Sequence, residues 1–398
     1  MNKSLIAIFS TVFLDAVAVG IVFPVLPTLL KDVTHTDNIA VYVGIISAVY
    51  ALMQFIFSPL LGTLSDRIGR RTVLLLSLSG AVASYFFMTI AATLPLLIAG
   101  RVIAGITGAS MPVALACLTD ISAPEKRARN FGLFNAMFGM GFIFGPVLGG
   151  FLGEFHLRLP LLFTALLNAC NFILVLLFLP ETHQTSWDER GQKKSSGRLS
   201  LRQFLAGDSI LPVVATFFIL SFGGEACGIC WAMWGYDAFK WDGFHVGLSL
   251  GVLGFFLTLT QIFLPGPSAR RLGERGAALA GIIARSLALC VMGMATKSWM
   301  IFAVMPVFAL GGIGTPVLQV IATRLVSSEN QGQLQGMLSS VLSISSVIAP
   351  LFFSVLYSAV RGNWPGGVWL AAATINLIAI PLILYGLRNT SQHRLEQR

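Results

Sequence analysis

Apolar runs long enough to cross a bilayer recur along the whole chain, separated by short clusters of charge, glycine and proline. They lie near residues 5 to 30, 40 to 61, 72 to 92, 95 to 118, 131 to 153 and 160 to 180, then near 210 to 234, 244 to 268, 277 to 296, 299 to 322, 333 to 358 and 366 to 387. A hydrocarbon core takes about 20 apolar residues per helix, so the pattern predicts an all-α membrane protein with twelve transmembrane helices. The first run has some marks of a secretory signal, because Lys3 precedes it and Ala16 and Ala18 form an A-x-A. Asp15 interrupts that run, however, and "FPVLPTLL" carries it past the cleavage position to a full span. It is therefore read as a retained first helix.

Composition agrees. Hydrophobic residues make up 56% of the chain, charged residues only 11%, and mean hydropathy is +0.81, against roughly 25% charged in a soluble domain. The net charge of +9 would suit a nucleic-acid binder if it were clustered, but it alternates between loops. One side holds Lys3; Arg67, Arg70 and Arg71; Lys126, Arg127 and Arg129; Arg190 to Arg202; Arg270, Arg271 and Arg275; Arg324; and the tail. The other holds only Lys31, Arg158, Lys240, Lys297 and Arg361. The positive-inside rule then puts both termini in the cytoplasm and leaves no nucleic-acid partner to invoke. The five cysteines all lie in apolar spans, and Cys227 and Cys230 form an isolated C-x-x-C that reads as packing rather than as a redox or zinc site. All five histidines lie in predicted loops or the tail. No membrane-embedded metal site, histidine base or hydrolase motif is therefore expected, and the chain is read as neither an enzyme nor a cofactor protein.

The longest polar segment, "ETHQTSWDERGQKKSSGRLSLRQ", divides the chain into a first half at 1–180, a cytoplasmic linker at 181–208 and a second half at 209–398. Sliding one half onto the other by 204 residues pairs Gly62 with Gly266, Gly69 with Gly273, Pro112 with Pro316, Gly132 with Gly336 and Pro146 with Pro350. "GTLSDRIGRR" thus answers to "GPSARRLGER", with Arg270 where the first copy has Asp66. Two parallel six-helix repeats around a central cavity are a transporter architecture, with substrate bound near the midplane.

Two motifs sharpen this. "GFIFGPVLGGFLG" spaces Gly141, Gly145, Gly149 and Gly153 four apart on one helix face, beside Pro146 and Gly150. Such a face admits close helix packing, and the proline favours a kink. The full string resembles the antiporter motif of proton-coupled drug exporters in the major facilitator superfamily. In the loop predicted at 62 to 71, Gly62 permits close contact, Asp66 can sit at a helix N-terminus, and Arg67, Arg70 and Arg71 can engage carboxylates or helix C-termini. That loop resembles the same superfamily's signature between helices 2 and 3. Together with "LDAVAVGIVFPVLPTLL", "GRVIAGITGA" and "QGQLQG", the chain is similar to the tetracycline/proton antiporter family over nearly its whole length. The resemblance implies a twelve-helix drug:proton exporter of the bacterial inner membrane. The chain is read as a proton-coupled exporter of an amphipathic or anionic small molecule, working as a monomer, with import, which the same fold allows, as the lesser alternative. The resemblance assigns Asp15, Gln54, Arg101 and Gln261 to the cavity, and Asp66, Arg70, Asp120 and Arg127 to a cytoplasmic gate.

The chain departs from that family at two positions. Ser84 stands where the family carries an acidic residue before the tyrosine of helix 3, and Arg285 where it carries an aspartate in helix 9. Both changes remove negative charge, shifting the expected cavity by about three units. Glu225, in the predicted seventh span, offers a replacement carboxylate for proton loading. Asp15 is the other proton candidate, with Arg101 as an expected partner. Arg285 either pairs with Glu225 or docks the carboxylate of an anionic cargo, such as a siderophore. Trp231 and Trp234 can stack on a planar substrate or anchor the helix at the interface.

Overall fold

A computed structural model describes residues 3–182, 210–326 and 331–396. From residue 183 onward, the predicted linker lies outside the described residues. Twelve helices are long and apolar enough to span a membrane: α1 Ser4–Thr34, α2 Ala40–Ile68, α3 Arg70–Ile90, α4 Leu94–Ile121, α5 Arg129–Phe155, α6 Leu159–Phe178, α7 Ile210–Phe239, α8 Gly243–Phe263, α9 Pro265–Met294, α10 Ser298–Arg324, α11 Gln333–Val360 and α12 Gly367–Leu384. No strand occurs among the described residues, as expected for the all-α class. The outward side chains are apolar, with Leu166 57%, Leu177 68% and Leu287 59% exposed, as a lipid solvent requires.

The stretches predicted as loops at 62–71 and 266–275 are corrected by the structure. Both are helical except for one glycine: Gly69 (φ 104°) separates α2 from α3, and Gly273 (φ 70°) kinks α9. These are the glycines paired by the 204-residue offset, and a positive φ at both is a conformation that glycine adopts without a Cβ penalty.

The repeat extends to the interior of the bundle. The predicted fourth span is not continuous: α4 runs over Leu94–Ile106 and again over Ser110–Ile121, with residues 107–109 outside the helix. Its counterpart α10 runs over Ser298–Leu310, tightens to a 3₁₀ turn at Gly311–Ile313 and resumes at Gly314–Arg324. Pro112 explains the first break, because a proline has no N–H for the carbonyl four residues earlier and its ring crowds that carbonyl. The orphaned group is the Gly108 oxygen, and Gln54 Nε2 of α2 donates to it at 3.1 Å. Pro316 holds the equivalent position in α10.

The described residues form two compact units: 3–182 with 231–255, and 210–230 with 256–326 and 331–396. The first has a core of α1, α3, α4 and α6 side chains that includes Leu74, Leu78, Val113, Leu118 and Val175. The second has a core of α7, α9, α10, α11 and α12 side chains that includes Val213, Ile282, Leu318, Leu334 and Ala379. Residues 231–255, the end of α7 and most of α8, pack with the first unit.

The glycine face of α5 lies against α1. A methyl group at Gly141 would come 2.5 Å from the Phe13 carbonyl oxygen, one at Gly145 2.6 Å from that of Val17, and one at Gly149 2.6 Å from that of Ile21. Gly153, expected on the same face, is looser, with its nearest neighbour at 3.9 Å. A second face serves α8: methyls at Gly150 and Gly247 would overlap Gly243 and Pro146, respectively. Gly62, expected to allow close contact, has no neighbour within 4 Å of an added methyl among the described residues.

The α1–α5 packing predicts that Gly145→Leu greatly lowers the yield of folded protein, since the obstacle is backbone and cannot turn aside. Gly153→Ala should leave the melting midpoint unchanged or slightly higher, by the usual gain of up to about 1 kcal/mol. Equal midpoints for the two purified variants would refute this account of the glycine face.

Candidate functional site

In the first unit, two of the predicted residues converge on the break in α4. Asp15 of α1 accepts a hydrogen bond from Ser110 Oγ at 2.9 Å, and Ser110 opens the second segment of α4. Gln54 caps the Gly108 carbonyl at the same place. Helix α2 comes this close because Gly105 has no side chain: a methyl there would sit 2.5 Å from Met53 Cβ and 2.7 Å from the Tyr50 oxygen. Arg101, two turns earlier on α4, does not pair with Asp15. Its guanidinium lies 5.7 Å from the centre of the Tyr50 ring, and its Nε has no hydrogen-bond partner among the described residues. The expected Asp15–Arg101 pair is thus replaced by a serine–carboxylate contact and a cation–π contact. Ser84 is fully buried, and its hydroxyl has no partner among the described residues.

In the second unit, Glu225 of α7 accepts from Ser346 Oγ of α11 at 2.7 Å. Arg285 of α9 lies against the 3₁₀ turn of α10. A methyl at Gly311 would be 2.7 Å from Arg285 Cβ, and one at Gly224 would be 3.0 Å from its Nη2. The guanidinium sits 5.3 Å from the centre of the Phe308 ring, and Nε lacks a hydrogen-bond partner among the described residues. Among the described residues no ion pair joins Arg285 to Glu225, so that pairing is corrected. The serine hydroxyl satisfies the acid, and two glycines plus an aromatic face accommodate the base. Gln261 of α8 approaches the same turn, its Cγ 3.7 Å from where a Gly312 methyl would be. Polar side chains therefore meet a broken helix in each unit: Asp15 and Gln54 around residues 107–110, and Arg285 and Gln261 around 311–313.

Trp231 and Trp234 are each 1% exposed. They belong to an aromatic cluster in the first unit, with Trp234 5.1 Å from Phe239 between ring centres, and Trp231 Nε1 donates to Ser249 at 2.9 Å. Both rings are enclosed by packing in this conformation, which corrects the expectation of a stacking surface.

The charged cluster between α2 and α3 is more fully connected. Arg70 bonds Asp66 at 2.7 Å, Asp120 at 3.3 Å and Ser65 Oγ at 2.7 Å. Arg127 Nε donates to the Ser122 carbonyl at 3.3 Å, and Arg67 is exposed. Asp66, expected at a helix N-terminus, engages Arg70 one turn on. The α3 N-terminus is instead capped by Glu181, which accepts from the backbone N–H of Arg70 at 2.7 Å and of Arg71 at 3.2 Å. Arg71 Nη2 donates to the Leu176 carbonyl at 2.6 Å. Glu181 falls in the predicted linker; its place directly after Pro180, just beyond the end of α6, is the signal the sequence offers.

Two repeated sets of membrane helices, each with ionisable or amide side chains held at a mid-span break, define a multi-pass membrane transporter. Residues 8–236 and 217–398 match the Major Facilitator Superfamily model. The class C tetracycline resistance protein of Escherichia coli is 42% identical over 97% of this chain and 97% of its own length. The class G protein of Vibrio anguillarum is 40% identical over 96% and 98%. A bacterial homolog of the human lysosomal transporter Spinster, solved inward-facing and unoccupied, matches with a TM-score of 0.80 at 16% identity over 96% of each chain, a likeness of fold alone. The chain belongs to the Major Facilitator Superfamily and, within it, to the family of the tetracycline resistance proteins. It is a multi-pass protein of the bacterial inner membrane.

The cap at α3 generates a prediction. Alanine at Gly69 or Gly273 forces a side chain into a positive φ, which costs about 1–3 kcal/mol. At Gly69 the new methyl also overlaps the Glu181 carboxylate, whereas at Gly273 nothing among the described residues lies within 4 Å. Gly69→Ala should therefore lower the melting midpoint more than Gly273→Ala, and equal drops would deny Glu181 its capping role.

Proposed function

We propose that this protein is a proton-driven exporter of an amphipathic small molecule, and that its cargo is a tetracycline-type drug. Both termini are taken to be cytoplasmic, and the two six-helix halves, 1–180 and 209–398, to rock about a central cavity as a monomer. Asp15 and Glu225 are the proton carriers. The observation that carries this reading is their shared setting: each is a mid-span carboxylate that accepts from a single serine hydroxyl, at 2.9 Å and 2.7 Å, and neither has a cationic partner among the described residues. A carboxylate inside a membrane is costly when ionised, and a serine hydroxyl can donate to the charged form or accept from the protonated one. Such a group can load and release a proton as its access changes. Asp66, Arg70, Asp120 and Arg127 would form the gate, and Gln54, Arg101 and Gln261 would face the cargo. The tetracycline cargo is supported by the relatives, at 42% and 40% identity over nearly the full chain.

A second reading of the cargo, an anionic molecule such as a carboxylate-type siderophore, is favoured by one observation. Arg285 has no carboxylate partner among the described residues, and its guanidinium can bind a carboxylate through two parallel hydrogen bonds.

Two experiments test these assignments. In proteoliposomes, Asp15→Asn and Glu225→Gln should each abolish substrate-driven proton movement while the protein remains folded; undiminished flux in both would reject carboxylate coupling. Expression of the wild type should raise tetracycline resistance and Arg285→Ala should retain it. A wild type without tetracycline resistance, whose export of an anionic cargo is lost in Arg285→Asp, would favour the second reading.

A further inference from the structure

At the 204-residue offset, Arg67 answers to Arg271 and Arg71 to Arg275, and the sign is kept. Three other positions exchange it: Asp66 with Arg270, Arg70 with Glu274, and Asp120 with Arg324. In the first unit Arg70 pairs with Asp120 at 3.3 Å, tying the start of α3 to the end of α4. In the second, Arg324 Nη1 meets Glu274 Oε1 at 2.7 Å, tying the restart of α9 after Gly273 to the end of α10. The ion pair is preserved and its polarity is reversed.

The helix ends feel the difference. Arg70 is the first residue of α3 and Asp120 lies in the last turn of α4, so both oppose the helix dipoles; Glu181 at the α3 N-terminus supplies the missing negative charge. Glu274 opens a helical segment and Arg324 closes one, so both are aligned with the dipoles.

Small and large residues are exchanged between the same helix pairs. On α3, Gly80 makes room for Thr107 at the break in α4, where an added methyl would overlap the threonine side chain. The repeat partner of Thr107 is Gly311, and there α10 makes room for Arg285 of α9. In each unit one ion pair joins the helix ends, and about three turns away along the same two helices one glycine notch receives one bulky side chain.

An exposed ion pair by itself stabilises little, and Glu274 and Arg324 are 28% and 55% exposed. We propose that Glu274 and Arg324 are a positioning pair. By fixing the register of α9 against α10, they hold Arg285 in the notch at Gly311. Their role does not depend on which cargo Arg285 serves.

The test is a cycle of melting midpoints on the purified full-length protein in lipid. Distant sites normally add, but this proposal couples them through the helix register. Glu274→Gln should lower the midpoint by about 2–4 °C in the wild type, and by less than half as much in an Arg285→Ala background, where nothing remains to be seated. Glu274→Arg should lower the midpoint further, and adding Arg324→Glu should recover part of that loss, short of the wild-type value because the exchanged charges oppose the helix dipoles. An additive Glu274→Gln and Arg285→Ala cycle would overturn the proposal, as would an exchanged pair no better than Glu274→Arg alone.

Discussion

A helix break inside a membrane leaves backbone carbonyls and amides without water to satisfy them, and most of what is distinctive in this protein follows from managing that cost. Pro112 leaves the Gly108 oxygen without its helical donor, so Gln54 must reach across from α2, and Gly105 must lack a side chain for α2 to come near enough. Ser110, at the restart of α4, then has its hydroxyl available for Asp15. The polar residues of the first unit are thus gathered by one disrupted turn. The second unit repeats the arrangement with a milder 3₁₀ tightening at Gly311–Ile313, against which Arg285 and Gln261 lie.

The ionisable groups Asp15, Arg101, Glu225 and Arg285, within the spans, are held without ion-pair partners among the described residues. Asp15 and Glu225 each take one serine, whereas Arg101 and Arg285 lie over aromatic faces at 5.7 Å and 5.3 Å. A buried ion pair would lock both partners, because separating them strands two charges in a medium of low dielectric. A hydroxyl or a ring face holds a charge more loosely than an opposite charge does.

The charges at the ends of α2, α3 and α4 follow the opposite strategy. Arg70 engages three oxygens, and Glu181 caps the helix that Arg70 begins, against a glycine whose missing side chain makes room for it. These groups lie at helix ends, where dipoles and solvent moderate the cost of charge. A many-membered network can form there without the desolvation penalty of the span interior.

The sequence alone determined the twelve spans, the all-α class and the 204-residue repeat, because bilayer thickness sets a length that hydropathy reveals directly and because glycine and proline mark backbone geometry wherever they stand. It also carried the family, through motifs spread along nearly the whole chain. Partners were decided only in the tertiary structure. Opposite charges on neighbouring spans suggested Asp15–Arg101 and Glu225–Arg285, yet serines from α4 and α11 reached the acids first, and a serine in an apolar run gives no sign of which helix it will face. Trp231 looked like a stacking surface and is enclosed, since span periodicity does not distinguish a ring packed against a neighbour from one facing an opening. Glu181 looked like the start of a linker. Its role depends on a glycine more than a hundred residues away in sequence, whose bare α-carbon leaves room for a carboxylate at the first turn of α3.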